Sequence, residues 1–526
     1  MQLSKLSRRS PGSTSGGRHH ANSVALAALC TLLFLTFLDN TIVSVGLGNM
    51  QTDLQAGITD LQWVVGAYAL TFASLTLACG MIGDKLGRKK VMLSGAGVFC
   101  AGSVLCALAP DPGTLIAGRA IMGLGAAASE PGTLSVLRQI YGDERRRARA
   151  VGVWAAVSGL ALALGPVIGG AIVGAWSWRG IFWFNLFFGL AALIVAAIVV
   201  PESADPQAAR VDAAGTVLGA GALATLLFGI IDAETSSFGA AVPVTLFCVA
   251  AGLAAGFGWR ERRAANPLIN LRHFRTAAFT VPNIVALCVY FATFAIFFFT
   301  ALYLVEVVSD SGYRIALIFL PMTALMIISS VLAGYWTGTA GPRWPVTIGC
   351  LLFGAGLLIA NPLISAHPDY VALALALALA GAGIGITVVP ITSAVLDAVP
   401  PDRSGMAASA ANTSREIGAV LGVAVLGALV FARLSSSLTA NLQQLRVPAA
   451  EKSEIIAVEP LIIHVIETGQ AGLASHYAGF GPIVGEVLQA AYRAFGDGLH
   501  AALYLAAALV LFAGVLAAAT LRPARD

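Results

Sequence analysis

The feature that most constrains this chain is a succession of apolar windows, each near the length of about 20 residues that a helix needs to cross a bilayer. They fall at about 23–47, 61–82, 91–109, 113–137, 150–173, 181–200, 213–232, 241–259, 277–305, 314–336, 346–365, 371–396, 404–432 and 497–521, predicting fourteen spans. Within hydrocarbon every backbone N–H and C=O needs a partner in the protein, and a helix supplies all of them from its own segment. The expected fold class is therefore an all-α integral membrane protein. Composition agrees: of 526 residues 58% are hydrophobic and 11% charged, whereas soluble domains carry roughly a quarter charged.

An even number of spans puts both termini on one side, and the basic residues choose the side. With the N-terminus inside, 23 of the 31 Lys and Arg lie on the inner face, among them Lys85, Arg88, Lys89, Lys90, Arg260, Arg262 and Arg263. Six (Arg179, Arg314, Arg433, Arg446, Lys452 and Arg493) lie outside, and Arg119 and Arg415 lie within spans. Seven of the eight tryptophans sit at proposed span ends, where an amphipathic ring prefers the headgroup zone, and only Trp154 lies deeper. The net charge of +4 is scattered between apolar runs and forms no soluble basic face, so no nucleic-acid partner is expected. The bilayer is the partner these features predict.

Two weak internal matches organise the chain further. GMIGDKLGRKK at 80–90 aligns with GYWTGTAGPRW at 334–344, offset 254, and PGTLSVL at 131–137 aligns with PITSAVL at 390–396, offset 259. They predict two six-helix pseudo-repeats, an architecture that places a site at the repeat interface. The expected organisation is a basic cytoplasmic tail at 1–22, an N-terminal half at 23–200, an extra helix pair at 213–259, and a C-terminal half at 277–521 that includes an outer loop at 433–496.

The loop Gly80, Gly83, Asp84, Gly87, Arg88 joins two adjacent spans by so tight a turn that its glycines are expected to allow close approach and unusual φ. Asp84 could then meet a helix N-terminus across the halves, the eleventh span at Pro345 being the expected receptor; the alternative is a plain basic loop. Asp39 and Arg119 stand within spans at comparable depth, roughly 12 and 9 Å from the outer ends at 1.5 Å per residue. Intramembrane charges mark a pathway or a partner. A carboxylate beside a guanidinium stays ionised until something separates them, after which it can take up a proton; the alternative is a permanent pair locking two helices. Glu130, eleven residues beyond Arg119, lies on the same helix face and beside Pro131, which points to a kinked, water-accessible stretch serving a proton or a cationic substrate. Asn412, Arg415 and Glu416 form a possible second-half polar site. Arg415 and Glu416 are neighbours in sequence, so they are expected to pair with other helices, for structure or for gating. Gly165, Pro166, Gly169 and Gly170 read as a hinge or a tight seal.

These motifs resemble the major facilitator superfamily and, within it, the fourteen-helix drug:proton antiporters of the EmrB/QacA type. The resemblance runs from about residue 25 to 432. LDNTIVSVGLG at 38–48 resembles the first-helix signature, with Gly46, Leu47, Gly48 where Ala-Leu-Pro is usual. RAIMGLGAAA at 119–128 resembles the fourth-helix motif with Met122 in place of Gln, GPVIGGAI at 165–172 the fifth-helix motif of exporters, WSWRGIFWFNLFFG at 176–189 the sixth helix, and NTSREIGAVLGVAVLG at 412–427 the thirteenth.

Other classes are disfavoured. No Gly-Lys dipeptide exists and hence no P-loop, so the energy source expected is an ion gradient; the resemblance implies that protons and a small-molecule substrate are the partners and a proton gradient the energy source, with no cofactor. His-Glu-x-x-His and Gly-x-Ser-x-Gly are absent and the cysteines lie in apolar windows without CxxC spacing, so neither an enzyme nor a metal site is expected. The reading is a proton-coupled exporter of amphipathic drugs, with a lipid or endogenous-metabolite exporter, or a non-transporting sensor or scaffold, as alternatives. Arginine outnumbers lysine 26 to 5, which points to a GC-rich bacterium and to its cell membrane as the location.

Overall fold

A computed structural model describes residues 15–141, 144–204, 212–236, 239–264, 272–308, 312–365, 367–399, 404–443 and 483–521. The first fourteen residues of the tail and 444–482 of the expected outer loop lie outside the described residues, as do Arg210, Arg403, Arg446 and Lys452.

The described chain is helical throughout. The helices are α1 (Ser15–Ile42), α2 (Leu47–Leu54), α3 (Ile58–Leu86), α4 (Arg88–Ala107), α5 (Pro112–Ile140), α6 (Glu144–Ala175), α7 (Arg179–Val199), α8 (Ala213–Ser236) and α9 (Ala241–Arg263). They continue as α10 (Ala277–Glu306), α11 (Gly312–Ala340), α12 (Arg343–Ala360), α13 (Tyr370–Asp397), α14 (Ser404–Gln443) and α15 (Ile483–Thr520). Among the described residues twelve helices are long and apolar enough to cross a membrane, and thirteen if α3, bent by 51° near residue 77, is one span. The expectation was fourteen. The shortfall is α5, a helix of 29 residues packed on α3 and α4 that carries Arg119, Glu130, Ser and Thr among its apolar residues. Arg119 and Glu130 are buried inside the bundle, so the apolar pattern that identifies a span is weakened where the interior is polar.

Three boundaries differ from the sequence reading. The first span does not end at 47: it passes through a 3-10 turn at Val43–Gly46 into α2, so the helix changes its winding there without the usual proline. At the far end of the chain α14 continues to Gln443 and α15 begins at Ile483, so both described flanks of the expected loop at 433–496 are helix.

Positions that the internal alignment pairs, and others at a similar offset, share backbone geometry. Among the described residues the two glycines with positive φ are Gly87 (117°) and Gly341 (73°), which the sequence alignment had paired. Asp111 caps α5 by accepting from the Thr114 N–H (2.9 Å), and Asp369, 258 residues later, caps α13 through the Val371 and Ala372 N–H groups (3.0 and 3.1 Å); each satisfies donors that a helix start leaves open. A Cβ on Gly125 would lie 2.3 Å from Phe99 N and 2.6 Å from Gly95 O, and one on Gly383 would lie 2.3 Å from Phe353 N and 2.6 Å from Gly349 O. The two halves thus close their α4–α5 and α12–α13 seams by the same backbone approach, available only to small residues.

Between the halves, α8 and α9 pack on one another, and α8 lies against α3 and α14. A bidentate ion pair from Arg260 to Asp212 (2.9 and 3.1 Å) ties the start of α8 to the end of α9, and its hydrogen bonds hold the Asp212 carboxyl below the ordinary range.

Candidate functional site

The buried charges lie on helices that are otherwise apolar, and their partners come from far along the chain. Asp39, fully buried on α1, forms an ion pair with Arg119 of α5 and accepts a 2.6 Å hydrogen bond from Asn185 Nδ2 of α7. Arg119, 1% exposed, also donates to the Val64 carbonyl at 2.9 Å and lies 4.4 Å from the centre of the Tyr68 ring, both on α3. All four helices belong to the first half. A rocking of one half against the other therefore leaves this pair intact, whereas the sequence reading had allowed that motion to part it.

One residue along, the connections change character. Asn40 Nδ2 donates to Glu416 Oε1 on α14 at 3.2 Å, and Asn412 Nδ2 on α14 donates to Glu130 Oε1 on α5 at 2.6 Å. These bonds cross between the halves in opposite senses, each half offering one carboxylate and one amide. Arg415 donates to Asn412 Oδ1 at 3.2 Å and to Thr392 Oγ1 of α13, and lies 5.5 Å from the Tyr290 ring of α10. Glu416 Oε2 has no hydrogen-bond partner among the described residues. Glu130 is 2% exposed, buried rather than water-facing; α5 continues through Pro131, and Trp154 Nε1 donates at 2.9 Å to Thr133 Oγ1, which in turn donates to the Glu130 carbonyl.

The exporter-like glycines let α6 pack closely on α1. A Cβ on Gly165 would meet Thr41 Oγ1 at 2.0 Å and Ile42 N at 2.8 Å, and one on Gly169 would meet the Ile42 carbonyl at 2.6 Å. Pro166 and Gly170 are buried beside them. This pulls α6 onto α1 immediately after Asp39 and Asn40, fixing the helix that carries both.

The turn between α3 and α4 departs from expectation. Gly80 and Gly83 have room for a Cβ, the nearest atoms lying at 3.4 and 3.8 Å, and only Gly87 needs to be glycine, with φ of 117° and the Glu202 carboxylate 2.9 Å from where its Cβ would stand. Asp84 does not reach the start of α12; it pairs with Arg88 one turn on at 2.7 Å and is 38% exposed. The anion at a helix N-terminus here is Glu202, which follows α7 and accepts from the Lys89 N–H at 3.1 Å, while Ser203 O accepts from Arg88 N at 2.7 Å. The dipole and open N–H groups at the start of α4 favour it.

Sequence reasoning singled out Asp39, Arg119, Glu130, Asn412, Arg415 and Glu416, and the structure brings all six together at the seam of the halves. It missed Asn40, Asn185, Tyr68, Thr392, Tyr290 and Glu202. An Asn inside an apolar span was the available signal for Asn40 and Asn185; the others have ordinary polar or aromatic character that acquires meaning only from what faces them. A second feature is a cavity of about 440 Å3 between α3, α8, α9 and α14, lined by residues including Ala73, Gly219, Ala254, Phe257 and Thr413.

Comparison with known proteins agrees with this geometry. The Major Facilitator Superfamily family model matches residues 29–423. The multidrug resistance protein Stp of Mycobacterium tuberculosis (strain CDC 1551 / Oshkosh) is 32% identical over 425 residues, covering 81% of this chain and 79% of that one. The tetracenomycin C resistance and export protein of Streptomyces glaucescens is 28% identical over 502 residues, covering 95% and 92%. Among solved structures, a bacterial homolog of the human lysosomal transporter Spinster, inward-facing and unoccupied, superposes with a TM-score of 0.64 at 17% identity, covering 96% of this chain and 98% of that one. At that identity the likeness is one of fold.

Proposed function

The chain belongs to the major facilitator superfamily, a family of multi-pass membrane transporters, and on that premise we propose that it exports drugs or other amphipathic small molecules in exchange for protons by alternating access. The observation that carries the reading is the cluster of buried carboxyls and guanidiniums at the seam of two repeated halves, bridged by Asn40–Glu416 and Asn412–Glu130. Uncompensated charge is costly in such a place, and a scaffold gains nothing from it. Asp39, Arg119 and Glu130 are the proton-coupling and substrate residues of this reading, and relatives named for drug resistance and export give the direction of transport.

The finer architecture belongs to the same proposal: fourteen spans of the EmrB/QacA type with α5 as the fourth, both termini cytoplasmic, in a bacterial cell membrane. The state described here is then open to the cytoplasm. Contact between the halves at the opposite end supports this, since a Cβ on Gly174 of α6 would stand 2.6 Å from the Tyr313 ring of α11, while Asp84 at the basic end pairs only locally with Arg88. The apolar cavity beside α8 and α9 favours a second reading, export of a lipid or endogenous metabolite.

The test is purified protein in proteoliposomes carrying a pH gradient, with tetraphenylphosphonium as an amphipathic cation. Uptake of the cation against its gradient, coupled to proton movement, is expected. Movement of a fluorescent lipid without proton-coupled movement of the cation would replace the first reading by the second.

A further inference from the structure

Seven charged side chains are buried among the described residues: Asp39, Arg119, Glu130, Asp212, Glu261, Arg415 and Glu416. Asp212 sits at the basic end with Arg260, and Glu261 adjoins Arg260 in sequence and reaches toward Gly215, the third residue of α8. The bundle interior therefore holds three carboxyls and two guanidiniums. Fully ionised, it would carry one uncompensated negative charge in a low-dielectric interior, which is strongly unfavourable. One proton, or one cationic substrate, restores neutrality.

The hydrogen bonds say which carboxyl holds that proton. Asp39 has both oxygens engaged by donors, Oδ2 by Arg119 and Oδ1 by Asn185, which suits an ionised group that only accepts. Glu130 ends a relay in which Arg415 donates to Asn412 Oδ1 and Asn412 Nδ2 donates to Glu130 Oε1, so the guanidinium's polarity is passed toward this carboxylate. Glu416 is different. Arg415, its neighbour, is turned away to Thr392 and Asn412, its Oε1 receives only the neutral amide of Asn40, and its buried Oε2 has no partner.

We infer that Glu416 carries the exchanged proton, on Oε2, with Oε1 held by Asn40 of the other half. This rests on the antiport reading and deepens it. In the exchange the Oε2–H bond breaks, the electron pair stays on the carboxylate, and the proton leaves for the side open to solvent; a cationic substrate then takes over charge compensation. Asn40 adjoins Asp39 in sequence, so the state of Glu416 is felt on the helix that carries the locked pair. The titratable groups that act on Glu416 are Glu130 from α5, Tyr68 from α3, Tyr290 from α10 and Arg415 on its own helix. Leu227 and Ile230 of α8 pack on α14 through apolar side chains, and Thr392 of α13 accepts from Arg415.

Two measurements on the full chain decide the matter. The first is equilibrium binding of tetraphenylphosphonium to purified protein across a pH series. In the wild type, affinity should fall about tenfold per pH unit on the acid side, the slope of one competing proton, with one proton released on binding. Glu416→Gln mimics the protonated acid in shape and bonding; it should bind with less than twofold change per unit and release no proton, while Glu416→Asp keeps the slope. The second is the infrared C=O band of a protonated carboxylic acid, which needs no substrate: it should shift in Glu416→Asp and vanish in Glu416→Gln. A wild-type slope and proton release in Glu416→Gln, or a band unmoved in Glu416→Asp, overturns the assignment of Glu416 and leaves antiport standing. Binding in the wild type with neither slope nor proton release overturns both.

Discussion

Removing the charge of Asp39 tests whether the pair with Arg119 is a structural lock. In Asp39→Asn the Arg119 guanidinium, 1% exposed, keeps only the Val64 carbonyl and the Tyr68 ring. Leaving one member of a buried pair uncompensated costs about 3–5 kcal/mol, and Arg119→Gln, which strands Asp39 with Asn185, should cost a similar amount. The double change removes both charges and leaves two amides able to bond to one another, so its loss should be about 1–3 kcal/mol, that of imperfectly satisfied neutral groups. The double variant is thus more stable than either single one. Apparent melting of the solubilised protein at one fixed scan rate measures this, because membrane proteins commonly unfold irreversibly. Losses that add within about 0.5 kcal/mol, as independent sites do, would refute the argument that the pair is mutually compensating. Transport is the second readout: efflux driven by a pH gradient should be lost in Asp39→Asn and remain lost in the double variant. Wild-type efflux in either would remove Asp39 from the coupling residues.

Other consequences are equally direct. Gly87→Ala places a side chain at φ 117° against the Glu202 carboxylate and should lower stability by about 1–3 kcal/mol, visible in the same melting assay; an unchanged melting point would show that the turn relaxes freely. Glu130→Gln should weaken export of cationic substrates more than of neutral ones in vesicle assays, and equal loss for both would assign Glu130 to protons or structure. Asp84→Asn should shift the population toward the cytoplasm-open state, read as reduced disulfide cross-linking between cysteines placed across that mouth, with binding retained; unchanged cross-linking with lost binding would end the gate reading. Asp212 titrates below its ordinary 3.8 in the folded chain because Arg260 bonds to it, so its contribution to stability is present above that value and lost as pH falls through the depressed one. Asp212→Asn should flatten the acid limb of a stability profile, and an unchanged limb would show that the pair contributes nothing.

How much of this was legible in advance follows from the range of each interaction. Apolar windows predicted the helices because lipid acts on each segment separately, α5 included at 113–137, although its Arg119 and Glu130 answer to protein and not to lipid. The pairing of Gly87 with Gly341 could be read from an offset of 254 and reappears as the two positive-φ glycines, because a tight helix turn is a local demand. Asp39 and Arg119 could be matched by depth along their helices, since rise per residue is fixed. The anion at the start of α4 could not: Glu202, 113 residues from Lys89, is carried there by the path of the chain after α7.

The sequence by itself determined that this is a polytopic helical protein, that it contains a repeat, and which charges lie inside the bundle. These depend on properties counted along one chain: apolarity, rise and spacing. Only the tertiary structure decided that Asp39 and Arg119 are locked within one half, while Asn40–Glu416 and Asn412–Glu130 join partners 376 and 282 residues apart across both. A hydrogen bond needs its atoms within about 3 Å, and which helix face meets which is fixed by the close glycine packing of the bundle as a whole.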